Sequence, residues 1–368
     1  MSDKPTGALH VLIATPYGKH GKGGIDRMMD VVDVQVRKHP ESAIEVRYLT
    51  TRGHGRLIPS IFLYLVPSIL QLIFCIITWR VDVFHVNIVQ RGSTMRKLTL
   101  CYIARALGTP YVLHLHGSGY RQYWSSAGRF LSERIRGTFS HAARVLVLGR
   151  VWSDFVADRA PAARISILPN ATIAPSEGRS HRSGGEPAHI LFLGRLGERK
   201  GVPELIRALE RLDASTPWRA TLAGDGQVGQ TRAQLAAAGL SERVAVPGWV
   251  GQGGVDRLLA SADILVLPSR DENLPLSVIE GMGFGLAVVT TPVGAVSDII
   301  IDGETGLLCP VGDSEALAMA LTRVVADADL RARLGRAARA FHAENLNVDN
   351  YFSRLASIWA EASLHRHR

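Results

Sequence analysis

Ile190-Leu191-Phe192-Leu193, followed by Gly194-Arg195-Leu196-Gly197-Glu198-Arg199-Lys200-Gly201, decides how this chain is read. Four apolar residues in a row suit a strand buried on both faces, and the glycines after them suit a tight turn. That turn carries two cations of different kinds. Arg195 offers a planar fork and Lys200 a point charge, the two ways side chains hold phosphate. Further along, Glu272-Asn273-Leu274-Pro275-Leu276-Ser277-Val278-Ile279-Glu280 sets a carboxylate on each side of a helix start marked by Pro275. Positive charge for a diphosphate and carboxylates for hydroxyl groups are together what a sugar nucleotide requires.

The strand–turn–helix pattern around Ile190 repeats along the chain. Val11–Ala14, Ile44–Tyr48, Val83–Val86, Tyr111–Leu115, Val145–Leu148 and Ile165–Ile167 read as strands in the first half. Ile190–Leu193, Arg219–Ala223, Val244–Val246, Ile264–Leu267 and Ala287–Thr290 read as strands in the second. Strands alternating with helix-length segments predict an α/β chain with two Rossmann-like, doubly wound parallel sheets. Residues 1–173 form the first expected domain, 188–349 the second, and the Ser-, Gly- and Pro-rich stretch 174–187 the linker. Ligands of such sheets bind beyond the carboxyl ends of the strands, so two domains facing a central cleft would bring these motifs together.

With 368 residues, 46% hydrophobic and 20% charged, the chain suits two folded domains and excludes disorder. Cys75, Cys101 and Cys309 are scattered and odd in number, which argues against a disulfide framework and for a reducing compartment. Met1–Gly7 has no secretory signal character. The net charge of +9 is uneven: residues 1–175 hold 22 Lys and Arg against 10 Asp and Glu, and the remainder hold 20 against 23. A basic first half suggests an anionic partner, such as a phospholipid surface, a phosphorylated lipid or nucleic acid; a merely solvated basic surface is the plainer explanation. No basic stretch interleaved with aromatics supports nucleic acid.

Leu57–Trp79 departs from the pattern, with 23 residues and no formal charge. It is long enough to span a bilayer, yet Pro59 and Pro67 interrupt it and it falls between two strands of one sheet. The preferred expectation is one or two helices on the first domain with an exposed apolar face at a membrane interface. A buried core helix and a true span are the alternatives.

Gly21-Lys22-Gly23-Gly24-Ile25-Asp26-Arg27 follows the first strand and opens an apolar-periodic helix, so its backbone could approach an anion. Its spacing is not that of a dinucleotide fingerprint, and a plain tight turn would look the same. His114 and His116 share one face at the end of the fourth strand, without the spacing of a zinc site. His116, at the tip, is the better functional candidate; a histidine capping local backbone is the bland reading. Tyr17, His85, Asn87 and Arg91, at the ends of the first and third strands, are the acceptor-side candidates. Glu272 and Glu280 would lie on the order of 10 Å apart, at or beyond the wide end of the glycosidase range, but suited to two ends of one ligand along a helix start. Ordinary surface carboxylates are the alternative there.

Together, Gly23-Gly24, His116, Gly194-Arg195, Lys200-Gly201, Pro247-Gly248-Trp249-Val250, Ala262-Asp263, Leu267-Pro268-Ser269 and the Glu272-to-Glu280 run resemble glycosyltransferase family 4, the group 1 transferases of the GT-B fold. The resemblance implies retaining transfer of a hexose from a nucleotide-sugar, with no metal or other cofactor required. It implies that Arg195 and Lys200 hold the donor diphosphate, Glu280 the ribose and Glu272 the transferred sugar. Trp249 and Val250 would lie by the base, His116 by the reacting sugar, and Gly23-Gly24 by the phosphate. Asn273, Leu274, Pro275 and Leu276 complete the donor site. Asn273-Leu274-Pro275 stands where members often carry a glycine after the first glutamate. The helix at about 350–368 would pack back on the first domain, as in the family.

Leaving-group stabilisation by Arg195, Lys200 and the helix start at Leu274–Ser277 is the expected mechanism. The basic first half and residues 57–79 point to a lipid-linked acceptor, with a polyprenyl-diphosphate-linked glycan of exopolysaccharide or lipopolysaccharide synthesis as the leading expectation. GDP-mannose and UDP-sugars are the candidate donors, and the inner face of the cytoplasmic membrane the expected location. A sugar-nucleotide 2-epimerase of the same fold and a non-catalytic nucleotide-sugar-binding protein are the competing readings.

Overall fold

A computed structural model describes residues 7–16, 24–51, 60–175, 186–213 and 215–367, with the side chains of 60–63 and 366–367 excepted. The chain divides into two compact units, Met1–Asn170 with Val348–Arg368, and Ala171–Asn347. Tyr17, Gly23, Pro59 and most of the expected linker lie outside the described residues.

The first unit carries a six-stranded parallel sheet in the order β2-β1-β3-β4-β5-β6. Its strands are β1 (Leu9–Thr15), β2 (Ile44–Thr50), β3 (Val83–Ile88), β4 (Tyr111–Leu115), β5 (Arg144–Val147) and β6 (Ile165–Ile167). β3 and β4 are buried along their whole length, because helices cover both faces. α1 (Gly24–Lys38) and α13 (Val348–Ser363) pack against each other on one face, and α13 also touches β3 and β4. α2 (Ser60–Phe74), α3 (Gly92–Ala106) and α5 (Arg129–His141) pack side by side, α2 on α3 and α3 on α5, while α4 (Tyr120–Ser125) touches α5 and α6 (Arg150–Arg159) lies against β5 and β6. The strand order reverses between β1 and β3.

The uncharged segment is helical. α2 runs through Pro67 and ends in a π-helical turn, Cys75–Trp79, stopped by Arg80 in the left-handed region at φ 55°. Leu72, Cys75, Ile76 and Trp79 face the core, whereas Val66, Leu70, Phe74 and Ile77 are exposed. Among the described residues no helix is long and apolar enough to cross a membrane.

The second unit carries a six-stranded parallel sheet in the order β12-β11-β10-β7-β8-β9. Its strands are β7 (Ala188–Leu193), β8 (Trp218–Ala223), β9 (Val244–Gly248), β10 (Ile264–Leu267), β11 (Ala287–Thr290) and β12 (Leu307–Leu308). Its helices are α7 (Val202–Glu210), α8 (Val228–Ala237), α9 (Gln252–Ser261), α10 (Leu276–Gly283), α11 (Ser314–Ala326) and α12 (Ala328–Asn345). The eleven expected strands are present within a residue or two of their bounds; β12, two residues long, is additional. The order here reverses between β7 and β10, where loops to opposite faces leave a crevice beyond the strand ends.

Candidate functional site

The turn after β7 and the loop after β10 flank that reversal, and they carry the cations and carboxylates of the donor motif. Lys200 forms an ion pair with Glu272 Oε1, and both side chains are largely buried. Ser269 Oγ donates to the same oxygen at 3.0 Å, and Arg199 Nη1 lies 3.9 Å from Glu272 Oε2. The ammonium expected at a diphosphate and the carboxylate expected at a sugar are thus in contact across the crevice. Arg199, about half-exposed, also donates to the Asp271 carbonyl at 3.0 Å.

Glycines set the closeness of these loops. Gly201 sits at φ 72°, and a Cβ there would collide with the Pro268 carbonyl oxygen. Gly294 sits at φ 58° and would collide with the carbonyls of Glu272 and Asn273. Pro275 takes the N-cap position in extended conformation, so α10 begins one residue later than the sequence suggested, at Leu276. Leu274 and Asn273 are buried, and the Asn273 carbonyl accepts from Ala295 N at 2.7 Å. Glu280, 6% exposed, is the fifth residue of α10. Arg195 is exposed on the turn, and Trp249, 63% exposed, and Val250 follow β9.

Two features of this site escaped the sequence reading. Gly224-Asp225-Gly226, after β8, zips against the Arg195 turn: Gly194 N bonds Ala223 O at 3.1 Å, and Leu196 N bonds Asp225 O at 2.7 Å. A Cβ at Gly226 would meet the Leu196 carbonyl and Arg195 Cγ, so this glycine gives Arg195 its room. A glycine pair just past a strand is a turn signal that could have found it. The second feature is Glu204 on α7, 2% exposed, whose Oε1 accepts from Arg270 at 2.6 Å and Arg207 at 2.8 Å. Burial alone pushes this carboxyl up; the Arg270 hydrogen bond and the neighbouring charges outweigh it and leave it lowered, hence ionised.

In the first unit, Gly24 opens α1 and His116 lies one residue past β4. His116 Nε2 meets Asn87 Oδ1 at 2.8 Å, while Asn87 Nδ2 donates to Ala14 O at 3.2 Å. With the amide oriented by Ala14, His116 donates through Nε2 and is neutral. Burial chiefly, with the charges of His85 and Lys97, pushes its pKa down to about 3.

The acceptor-side expectations change here. His85 does not lie at a strand end: it is the third residue of β3, fully buried, and its Nδ1 accepts from Trp359 Nε1 at 3.1 Å. It faces α13 rather than a pocket, because alternation along β3 aims it at the helix layer. Asn87 is buried and holds His116 rather than lining a surface. Arg91 is exposed at the N-cap of α3, with φ 63°. His114 packs its ring 4.0 Å from His116 and 5.5 Å from His85. Among the described residues no group of three or more His, Cys, Asp or Glu is placed to hold a metal ion.

Residues 175–341 match the family described as "Glycosyl transferases group 1", and residues 10–171 match "Glycosyl transferase 4-like domain". The chain is 31% identical over 274 residues to a 2-deoxystreptamine N-acetyl-D-glucosaminyltransferase of Streptomyces fradiae, covering 68% of this chain and 64% of that one. It is 37% identical over 146 residues to the lipopolysaccharide core biosynthesis glycosyltransferase LpsE of Rhizobium meliloti, covering 39% of this chain and 42% of that one. The chain thus matches under two thirds of the length of each of these relatives. Among solved structures, Anabaena Alr3699/HepE in complex with UDP and glucose superposes with a TM-score of 0.72 at 18% identity, over 95% of this chain and 98% of that one. Two matches that together take in almost the whole chain, and two doubly wound sheets with the motif residues beyond the strand ends, agree: the chain belongs to the group 1 glycosyl transferases and has the GT-B fold.

Proposed function

We propose that the chain transfers a hexose from a GDP- or UDP-linked donor, with retention and without a metal ion, to a lipid-linked glycan at the inner face of the cytoplasmic membrane. The observation that carries the donor half is the meeting of Lys200 and Glu272 across the β7/β10 reversal, with Arg195 exposed on the same turn as Lys200 and Glu280 on α10. As the nucleoside diphosphate leaves, negative charge grows on its β-phosphate. Arg195, Lys200 and the first-turn amides of α10 are the groups to stabilise it. Lys200, drawn to the phosphate, would release Glu272 to the sugar hydroxyls. His116, neutral and fixed by Asn87, would offer the sugar a hydrogen bond rather than a charge.

The lipid-linked acceptor, with polyprenyl diphosphate as the carrier and exopolysaccharide or lipopolysaccharide as the product, is supported by the basic first half, the exposed stripe of α2 and the printed name of the Rhizobium relative. A water-soluble aminocyclitol acceptor is the second reading, favoured by the printed name of the Streptomyces relative. Thermal unfolding with millimolar GDP, UDP or ADP tests the donor half. A ligand at 100 times its dissociation constant stabilises by about 2.7 kcal/mol, a visible melting shift. The expected result is a shift with GDP or UDP that Arg195→Ala abolishes, together with a 10²–10³-fold loss of transfer, the size expected for one charged transition-state contact. A folded protein that no nucleotide shifts, or an Arg195→Ala variant with normal turnover, overturns the assignment.

A further inference from the structure

The surface formed by α2, its π-helical turn, α3 and α5 has no counterpart in the donor chemistry. Along α2, Val66, Leu70, Phe74 and Ile77 recur every three or four residues on the outer face, each more than half exposed. Leu65, Ile69 and Ile73 flank them half-buried, and no charged residue occurs from Leu57 to Trp79. A helix that faces water with no charge on it is rare among soluble helices, whose outer faces are polar. The stripe continues onto the neighbouring helices. Met95 and Tyr102 on α3 are 50% and 67% exposed, and Phe130 at the start of α5 is 75% exposed.

The sequence around the stripe is strongly basic. Residues 46–153 carry fourteen Lys and Arg against two acids, Asp82 and Glu133. Both acids are engaged: Asp82 accepts from His10 N at 2.9 Å, and Glu133 pairs with Arg136. Arg80 closes the stripe at the end of the π-helical turn, and Arg105, Arg129, Arg134 and Arg136 stand exposed on α3 and α5.

We infer that this face docks on an anionic lipid bilayer. The stripe enters the boundary between headgroups and acyl chains, and the arginines rest on the phosphates. An acidic protein surface would satisfy the arginines, but it would not explain an uncharged helix with four large apolar side chains in a row. A lipid surface satisfies both. The inference deepens the membrane part of the proposed function, and its test requires no sugar transfer.

Co-sedimentation of the full chain with vesicles reads it directly. Neutral phosphatidylcholine vesicles are compared with vesicles containing about one third phosphatidylglycerol, at low and high salt. The expected result is binding to the anionic vesicles that weakens with salt. Leu70→Glu/Phe74→Glu and, separately, Arg129→Glu/Arg134→Glu each reduce partitioning by at least about tenfold. Both pairs are exposed and remote from the donor loops in sequence, so the nucleotide melting shift stays as in the unchanged chain; this separates a failed surface from a failed donor site. Absent binding, equal binding to neutral and anionic vesicles, or unchanged partitioning of either variant overturns the inference. So does a stripe that proves, by sedimentation of the protein alone, to bury a second copy of the chain.

Discussion

Glu272 is the side chain on which the donor reading turns, and its surroundings are unusually determinate. Lys200 and Ser269 Oγ engage one carboxylate oxygen, and Arg199 approaches the other. Behind it, the carbonyls of Glu272 and Asn273 lie against Gly294, with no room for a Cβ. A non-glycine residue at φ 58° carries a backbone penalty of about 1–3 kcal/mol, and the added methyl group must displace the carbonyls of Glu272 and Asn273. Gly294→Ala should therefore lose at least about 2 kcal/mol in urea unfolding, and with it the nucleotide melting shift. Unchanged stability together with an unchanged shift would show that this contact does not set the position of Glu272.

At the scale of elements, the proposed donor site is two loops held to one helix. Glu204 on α7 reaches Arg270, next but one before Glu272, while Arg270 N bonds the Arg199 carbonyl at 2.9 Å. The clip ties the loop after β10 to the turn after β7. Its arginines are half-exposed, so Glu204→Ala should cost only about 2 kcal/mol of stability, the usual worth of a hydrogen bond to a charged group. The more telling readout is KM for the donor. It should rise severalfold while acceptor KM stays constant, because loosened loops misplace Lys200 and Glu272 together. Equal effects on both substrates would mean a general loss of folded protein.

The same scale shows what the sequence could tell. β3, β4 and β7 were legible because strands buried on both faces read as mostly apolar runs, broken here only by His85 and Asn87, His114 and His189. β12 was not, since two residues carry no periodicity. Lys200 and Glu272 were legible as residue types at the right strand ends, but their contact was not, because it depends on β7 and β10 being neighbours in the sheet. Glu204 was invisible for a similar reason: its partner Arg270 lies 66 residues away, and on a helix a glutamate reads as surface. His85 was assigned to a strand end because the apolar pattern gives the face a side chain takes but not its depth along the strand.

For the molecule as a whole, buried histidines set the acid limit. Burial pushes His85 and His342 down to about 4 and His116 to about 3, and holds His114 well below the usual range. The unfolded chain binds protons at these sites near pH 6.5, while the folded chain refuses them until much lower pH. Stability is therefore fully present above about pH 6.5 and falls as pH drops toward 4, by about 1.4 kcal/mol per pH unit for each such histidine. Urea midpoints at pH 7.5, 6 and 5 should decline steadily, before the carboxylates titrate. A flat profile over that window would show that the cluster takes up protons in place. The same neutrality predicts that His116 adds no titration to transfer rates between pH 5 and 9.

The return of α13 to the first unit has a consequence for synthesis. Trp359 supplies the hydrogen bond to His85 and lies fully buried against β3, yet it is made only after all 177 residues from Ala171 to Asn347. A ribosome therefore delivers the second unit as one uninterrupted stretch, able to fold as it emerges. The first sheet, though translated earlier, has α1 on that face but waits for its cover over β3 and β4 until α13 arrives. The half of the chain made first is thus completed last, and the interval in which the apolar surface of β3 and β4 under α13 stands open is set by the time taken to translate the other half.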